Sequence, residues 1–397
     1  MKKYLIICIY LCFISCGKQE DAVNLSHSLS LVDSIEVDGK TLSFIWIYAD
    51  APDYNPVEAT GEGITCVDDV GRYLEVLEHE IIVKRNSSLI PLAENMVNFL
   101  LYMSREDGLW YNFMFHDGTI NKDHINSKAE FGFWAVRGLR GLAAGYNIFH
   151  DNEDLRQVIE KRTLCMEPHL KKILSSYPGI TNMNYGKKPN WMIQGAADIT
   201  NEMLLVLTKL QHTGDFDYQD EIVKFSEALI ISQYKKGNSE ITGMYFCWNN
   251  IWHSWGNSQA FALLEAYKIT KNDACLQSVK LWADNFVPFF IEHNFPRKIT
   301  VANQDFEMET YPQIAYGINS VYRGIKSLAV ITKNKKYEEY AEKVFQWYFG
   351  GNIANTKMYN SGTGVCFDGI NAEGINKNSG AESTIECLLS MQFREKY

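Results

Sequence analysis

Prolines are scarce, nine in 397 residues, and with only 27 glycines the chain is neither collagenous nor largely disordered. Basic residues are outnumbered, 38 Lys and Arg against 48 Asp and Glu. The resulting net charge of -10 offers no basic face to track phosphates, which excludes nucleic acid as a partner. There is no P-loop, no dinucleotide Gly motif after a strand, no HExxH and no G-x-S-x-G elbow. Nucleotide, zinc and serine-hydrolase chemistries therefore lose their usual support, and neither cofactor nor metal is expected. No C-x-x-C pair occurs, and the six cysteines after Cys16 are scattered, so buried free thiols are the simpler reading than disulfides. What is present is 46% apolar and 22% charged residues, enough for a sizeable core.

The first residues read as a processing signal. Lys2 and Lys3 precede an apolar run from Tyr4 to Ile14 that is too short to span a bilayer but suits a signal-peptide core. The run ends at Ser15-Cys16-Gly17, which resembles a bacterial lipobox, with Phe13 where Leu is usual. The expectation is a signal peptide over residues 1–15, lipidation at Cys16, a polar tether over 16–30, and an exported protein anchored to a membrane at the periplasmic or cell-surface side. An ordinary secretory cleavage nearby is the alternative.

From residue 31 onward one domain is expected. Ser34 to Val37, Asp38-Gly39, and Lys40 to Tyr48 predict a β-hairpin around a DG turn. Thereafter the period is helical. Six segments share a layout in which a polar cluster opens a long helix rich in Ala, Leu and aromatics: Val67 to Ile82, Phe131 to Phe149, Ala196 to Leu210, Gly256 to Ile269, Pro312 to Ile331 and Gly380 to Phe393. Their starts are 64, 65, 60, 56 and 68 residues apart. More charged amphipathic segments lie between them, for instance Asp154 to Ser175, Gln219 to Lys235, Ala274 to Phe290 and Lys336 to Phe349. Stacked hairpins of this kind, without polar capping repeats, predict an all-α, closed (α/α)6 toroid whose sixth pair is incomplete or completed by the N-terminal region.

In such a ring the inner helices run parallel, so the polar clusters at their N-termini meet on one face. The first cluster holds Glu62, Asp68, Asp69 and Arg72, with Asp68 and Arg72 at i and i+4. One Asp can cap the helix while the other faces the centre. The last cluster holds Ser379 and Glu382, which fit a capping box, yet Glu382 opens the sixth inner helix beside the first and would lie near Asp68 and Asp69. Intervening clusters add Glu130 and Trp134; Asp198, Asn201 and Glu202; Trp255, Asn257 and Gln259; and Glu309, Tyr311, Gln313 and Tyr316. Aromatics crowd the same loops, among them Trp110, Trp248 and Trp252, and flat rings suit the apolar faces of sugars, although most aromatics in a helical ring are core. His253 is either a base or a structural imidazole, and Asp368-Gly369 is a turn first and a site second.

Three segments, Gly63 to Arg72 (GITCVDDVGR), Tyr311 to Gly317 (YPQIAYG) and Asn376 to Glu386 (NKNSGAESTIE), resemble segments of six-hairpin glycosidase-like proteins, and the similarity extends from about Tyr48 onward. The resemblance implies carbohydrate processing, usually by paired carboxylates and often with inversion, and it leaves lyases and epimerases open because such toroids host them too. The leading expectation is a glycoside hydrolase acting on an oligo- or polysaccharide. Asp69 would serve as general base and Glu382 as general acid, with Asp68 and Asp198 as contacts or role-swapped alternatives. Substrate contacts are expected from Glu62, Arg72, Trp110, Trp134, Trp252, His253, Trp255, Gln259, Glu309, Tyr311, Gln313 and Asp368. A lyase or epimerase would instead use Tyr311 or His253 beside Arg72, and a non-catalytic glycan-binding lipoprotein would use the aromatic face alone.

Overall fold

The computed structural model describes residues 21–235, 240–302 and 305–397. Its helices are α1 (Ser26–Ser30), α2 (Val67–Glu78), α3 (Ile90–Met103), α4 (Phe133–Ile148), α5 (Glu153–Leu164), α6 (Glu167–Leu174) and α7 (Ala197–Thr213). They continue as α8 (Gln219–Ser232), α9 (Gln259–Thr270), α10 (Asp273–Leu281), α11 (Val287–Glu292), α12 (Ala315–Thr332), α13 (Lys335–Phe345) and α14 (Ala381–Lys396). Six of these, α2, α4, α7, α9, α12 and α14, are buried around most of their circumference, charged side chains included. They pack in chain order, each on the next, and α14 returns to α2, which closes the (α/α)6 ring. The amphipathic helices α3, α5, α8, α10 and α13, all but α3 rich in charge, lie outside it and bury one stripe each.

The two mouths of the ring differ because the two kinds of connection differ. Inner-to-outer turns are short where a left-handed residue is followed by an Asn cap. Lys271 (φ 55°) and Lys333 (φ 53°) end α9 and α12, and Asn272 and Asn334 then accept the N–H of Ala274 and Lys336 at 3.0 Å. Outer-to-inner returns each exceed twenty residues and carry the small sheets, including the three-stranded one in which Lys298–Ala302 pairs with both Ile251–His253 and Asp305–Glu309. All the long loops therefore gather over the N-terminal ends of the inner helices.

Close contact between α2 and α4 depends on glycine. A Cβ on Gly141 would stand 2.7 Å from Cα of Gly71, and one on Gly71 would run into the carbonyl oxygen of Arg137. The N-terminal hairpin forms as expected, Val32–Val37 against Lys40–Ile45, with Asp38 (φ 50°) and Gly39 (φ 75°) at a turn that needs two positive φ angles. Its Phe44 packs toward Phe99 of α3.

Residues 21–30 differ from the expected tether. Asp21 pairs with Arg394 at 2.7 Å, the His27 ring bonds the Ser379 carbonyl at 2.9 Å, and Ser28 takes the hydroxyl of Tyr73. These polar anchors hold α1 along α14, so the chain is ordered ten residues earlier than its polarity suggests. Residues 1–15, Cys16 and the rest of the expected tether up to 20 lie outside the described residues. Cys66, Cys165, Cys247, Cys275, Cys366 and Cys387 are all free thiols, and no described helix is long and apolar enough to cross a membrane.

Candidate active site

At the long-loop mouth a cleft of about 370 Å³ opens between the first turns of α2 and α14. The helix starts bring carboxylates there for a local reason. On α2 the N-cap Cys66 takes the Asp69 N–H on its sulfur, which leaves Asp68 and Asp69 in the first turn, where the helix dipole favours negative charge. On α14 the cap comes from a distant loop. Asp368 accepts the Gly380 N–H at 3.0 Å and the Ser383 hydroxyl at 2.6 Å. The expected Ser379–Glu382 capping box does not form, because Ser379 donates instead to the Cys366 carbonyl at 2.7 Å. Glu382 is thereby released from the backbone and lines the cleft.

The floor of the cleft is Arg72, only 2% exposed along its side chain. Its Nη2 meets Asp69 Oδ1 at 2.8 Å, Asp68 Oδ2 at 3.1 Å and Glu382 Oε2 at 3.5 Å, and its Nη1 meets Glu386 Oε1 at 2.8 Å. Four carboxylates thus share one guanidinium, whose planar fork is suited to several acceptors. One cation cannot neutralise them all. Burial, then the neighbouring aspartates against the opposing pull of Arg72, pushes the Glu382 carboxyl up to about 7. Its side chain is 44% accessible and opens into the cleft. Asp69 is likewise pushed up to about 6, by burial first and by Asp68 after the opposing effect of Arg72.

Below the floor the ring axis is filled by alternating charge. Asp68 Oδ1 lies 3.2 Å from Arg137 Nε, Arg137 lies 3.6 Å from Glu202, and Glu202 and Glu75 both grip Arg140. Lys209 follows, between Glu75 and Glu78. Tyr316 binds Arg137 and stacks against Arg72 at 5.1 Å. Arg137, Arg140, Glu75 and Glu386 were not among the residues expected from the sequence. The available signal was charge at helical spacing inside Ala/Leu/Gly-rich segments, as in Arg137 and Arg140 or Glu382 and Glu386.

Of the residues expected to contact substrate, the fold brings Glu62, Arg72, Trp134 and Asp368 to the cleft with Asp68, Asp69 and Glu382. Tyr48, whose hydroxyl meets Glu62 at 3.4 Å, and Asn112 also line it and were missed. The others stand apart from this cleft. Trp110 is buried over Gly138 of α4, and Trp252 is buried against Phe286 and Phe290, so both serve the core. Gln259 and Gln313 are buried amides; Gln313 accepts the Trp347 indole N–H at 3.0 Å. Glu309 is an exposed strand residue paired with Arg297 and Lys298, and Tyr311 is half-buried outside the cleft.

Asp198 and His253 form their own unit. Their closest ring-to-carboxylate distance is 3.4 Å, and His253 is wedged between Trp248 and Trp255, with centroids 4.4 Å away on each side. Trp255 in turn faces Arg297 at 4.8 Å. His253 is 1% exposed, and burial pulls its pKa below the ordinary value, so the ring is neutral and shut off from the cleft. Asp198 is 5% exposed, serves this buried unit, and does not reach the carboxylates on Arg72.

No protein-family model matches the chain, and no curated protein matches its sequence. Solved structures match its fold. Cellobiose 2-epimerase from Bacillus thermoamylovorans aligns with a TM-score of 0.67 at 10% identity, over 94% of this chain and 96% of that one. Cellobiose 2-epimerase from Spirochaeta thermophila aligns at 0.66 and 12%, over 94% of each. A family 76 glycoside hydrolase, a mannosidase from Bacteroides thetaiotaomicron, aligns at 0.51 and 12%, over 89% of this chain and 91% of that one. The shared feature at these identities is the six-hairpin (α/α)6 toroid.

Proposed function

We propose that the chain is a glycoside hydrolase that cleaves a neutral glycan in the cleft above Arg72. The carrying observation is the convergence of Asp68, Asp69 and Glu382 on one guanidinium nitrogen. Glu382, with its pKa raised to about 7 and its side chain open to the cleft, protonates the leaving glycosidic oxygen. The partner role expected of Asp69 passes to Asp68. Asp69 is 3% exposed along its side chain and closed in by Cys66 and Arg72, whereas Asp68 is 13% exposed and held by both Arg72 and Arg137. Asp69 then acts on Glu382 through its charge, helping to keep the acid protonated.

Asp68 Oδ2 and Glu382 Oε2 both touch Nη2 of Arg72, at 3.1 and 3.5 Å, so they are no more than 6.6 Å apart. An intervening water needs carboxyl groups roughly 6.5–9.5 Å apart, and direct attack by a carboxylate roughly 5–5.5 Å. The spacing favours retention, with Asp68 as the nucleophile.

Charge selects the substrate class. Arg72 is the only Lys or Arg among the described cleft residues and is already saturated, while Glu62, Asp68, Asp69, Asp368 and Glu382 line the same space. A uronic acid would find no cation there, which speaks against a lyase. No described histidine lines the cleft, and the Tyr311 and His253 set required by the lyase or epimerase reading is not assembled at Arg72.

The test is product analysis on neutral and uronic oligosaccharides for the parent, D68N, D69N and E382Q. New reducing ends with retained anomeric configuration, cut by about 10²–10⁴-fold in E382Q, are expected. Unsaturated product would establish a lyase, interconversion without cleavage an epimerase, and binding that survives all three substitutions without parent turnover a glycan-binding protein. We further propose export and lipid attachment at Cys16, on the strength of Lys2, Lys3, the run from Tyr4 to Ile14 and Ser15-Cys16-Gly17. Incorporation of labelled fatty acid that is lost in C16S tests it.

A further inference from the structure

The opposite mouth of the ring holds a second cavity of about 820 Å³, separated from the cleft by the charge ladder along the axis. It lies among the C-terminal ends of the inner helices, and its size is that of a site for a small organic ligand. Its carboxylates are occupied. Glu75 is bound by Arg140 and Lys209, Glu78 by Lys209 and Asn147, Asp215 by Tyr146 and Arg156, and Glu265 by Lys268. Arg323 is different. It lines the cavity, makes no ion pair with any described residue, and has a buried Nε without a hydrogen-bond partner. Its guanidinium lies 4.2 Å from the ring of Phe261 and 5.5 Å from that of Phe393. A second unpartnered polar atom, Nε2 of His79, sits in the same wall.

Arg323 is partly buried, and Glu75, Glu386 and Glu265 act on it only from beyond ion-pair distance, so its guanidinium is free to take a ligand's charge directly. A guanidinium laid against the Phe261 ring, with Phe393 edge-on beside it, is pre-organised to receive a planar or tetrahedral oxyanion by two parallel hydrogen bonds. We propose that this cavity is a second ligand site, distinct from the cleft, that binds a sugar carrying an oxyanion, with Arg323 on the anion and Phe261 and Phe393 holding the guanidinium in place. The shared chemistry is the oxyanion on a sugar ring, whether the carboxylate of a uronic acid or the phosphate of a sugar phosphate. The two mouths therefore have opposite charge preferences, the cleft for neutral sugar and this cavity for acidic sugar.

The test is calorimetric titration of the full chain with glucuronate, glucose 6-phosphate, inorganic phosphate and glucose. Either acidic sugar should bind, the stronger of the two identifies the oxyanion, and any heat from glucose, which belongs to the cleft, should be the same in R323M as in the parent. R323M, which keeps an apolar stem beside the phenyl rings, should weaken binding at least tenfold, while E382Q at the other mouth should leave it unchanged. R323K, which keeps charge but loses the fork, should bind more weakly than the parent and covers the case in which R323M does not fold. Absence of heat with both acidic sugars at tens of millimolar, undiminished binding in R323M or R323K, or loss of binding in E382Q would each overturn the proposal. So would binding of inorganic phosphate as tight as that of the sugar phosphate, since the sugar would then contribute nothing.

Discussion

Replacing Glu382 by glutamine tests the electrostatics of the cleft without needing the substrate. The folded state holds the Glu382 proton to about 7, against a reference of 4.5. Between those values the folded chain binds more protons than the unfolded one, so this group lowers stability as pH rises through the window, and the penalty is complete above pH 7. Holding the carboxyl at about 7 instead of 4.5 corresponds to about 3 kcal/mol for a group shielded from solvent. A side chain 44% accessible is partly screened, which brings the expectation to about 1 kcal/mol. Glutamine keeps the shape and removes the charge. E382Q should therefore melt about 2 °C above the parent at pH 8, with the difference vanishing near pH 4. Thermal melts by circular dichroism at both pH values measure it. A difference that is the same at both, or an E382Q that melts lower at pH 8, would mean that the Arg72 contact outweighs burial, and the assignment of Glu382 as a proton donor would lose its basis.

Other consequences follow from the same geometry. The rate kcat/KM should fall as pH rises above about 7, when Glu382 loses its proton, and that limb should be absent from the residual activity of E382Q; a limb unchanged in E382Q would assign it to another group. R72M leaves four carboxylates around an apolar side chain and should cost about 3–5 kcal/mol in denaturant unfolding, and a loss below 1 kcal/mol would contradict the central role of this guanidinium. G71A drives a Cβ into the backbone of α4 and should cost about 1–3 kcal/mol, whereas an unchanged unfolding midpoint would show that the two helices can separate freely. W134A should raise KM with little change in melting temperature, because Trp134 lines the cleft. W252A should lose about 3–5 kcal/mol, because Trp252 is core, and equal behaviour of the two would erase the distinction drawn between them.

The ring itself was legible in the sequence because helical hairpins repeat through local rules. Apolar period, polar cluster and spacing of about sixty residues act within one hairpin, and the helices rich in Ala, Leu and aromatics take the inner positions. The hairpin at Asp38-Gly39 was legible for the same reason, since its turn chemistry is contained in two residues. The gathering of Asp68, Asp69 and Glu382 followed once closure was assumed, because parallel inner helices carry their N-termini to one face. Roles within the cluster did not follow. Which carboxylate lies open to the cleft depends on Cys66 beside Asp69, a local cap, and on Asp368, which caps α14 from another loop and has no local signal for that role. Trp252 and Trp134 look alike as letters, but only packing against Phe286 and Phe290 makes one of them core. His253 and Asp198 read as chemistry until two Trp rings are seen to enclose them. Local sequence accounts for the helical repeat, for the negative charge at helix starts and for the pairing of Asp68 and Asp69 with Arg72, which stands four and three residues further on. Only the closed ring brings Glu382 and Glu386 to the same guanidinium and leaves Glu382 open to the cleft, because those contacts join chain segments about three hundred residues apart.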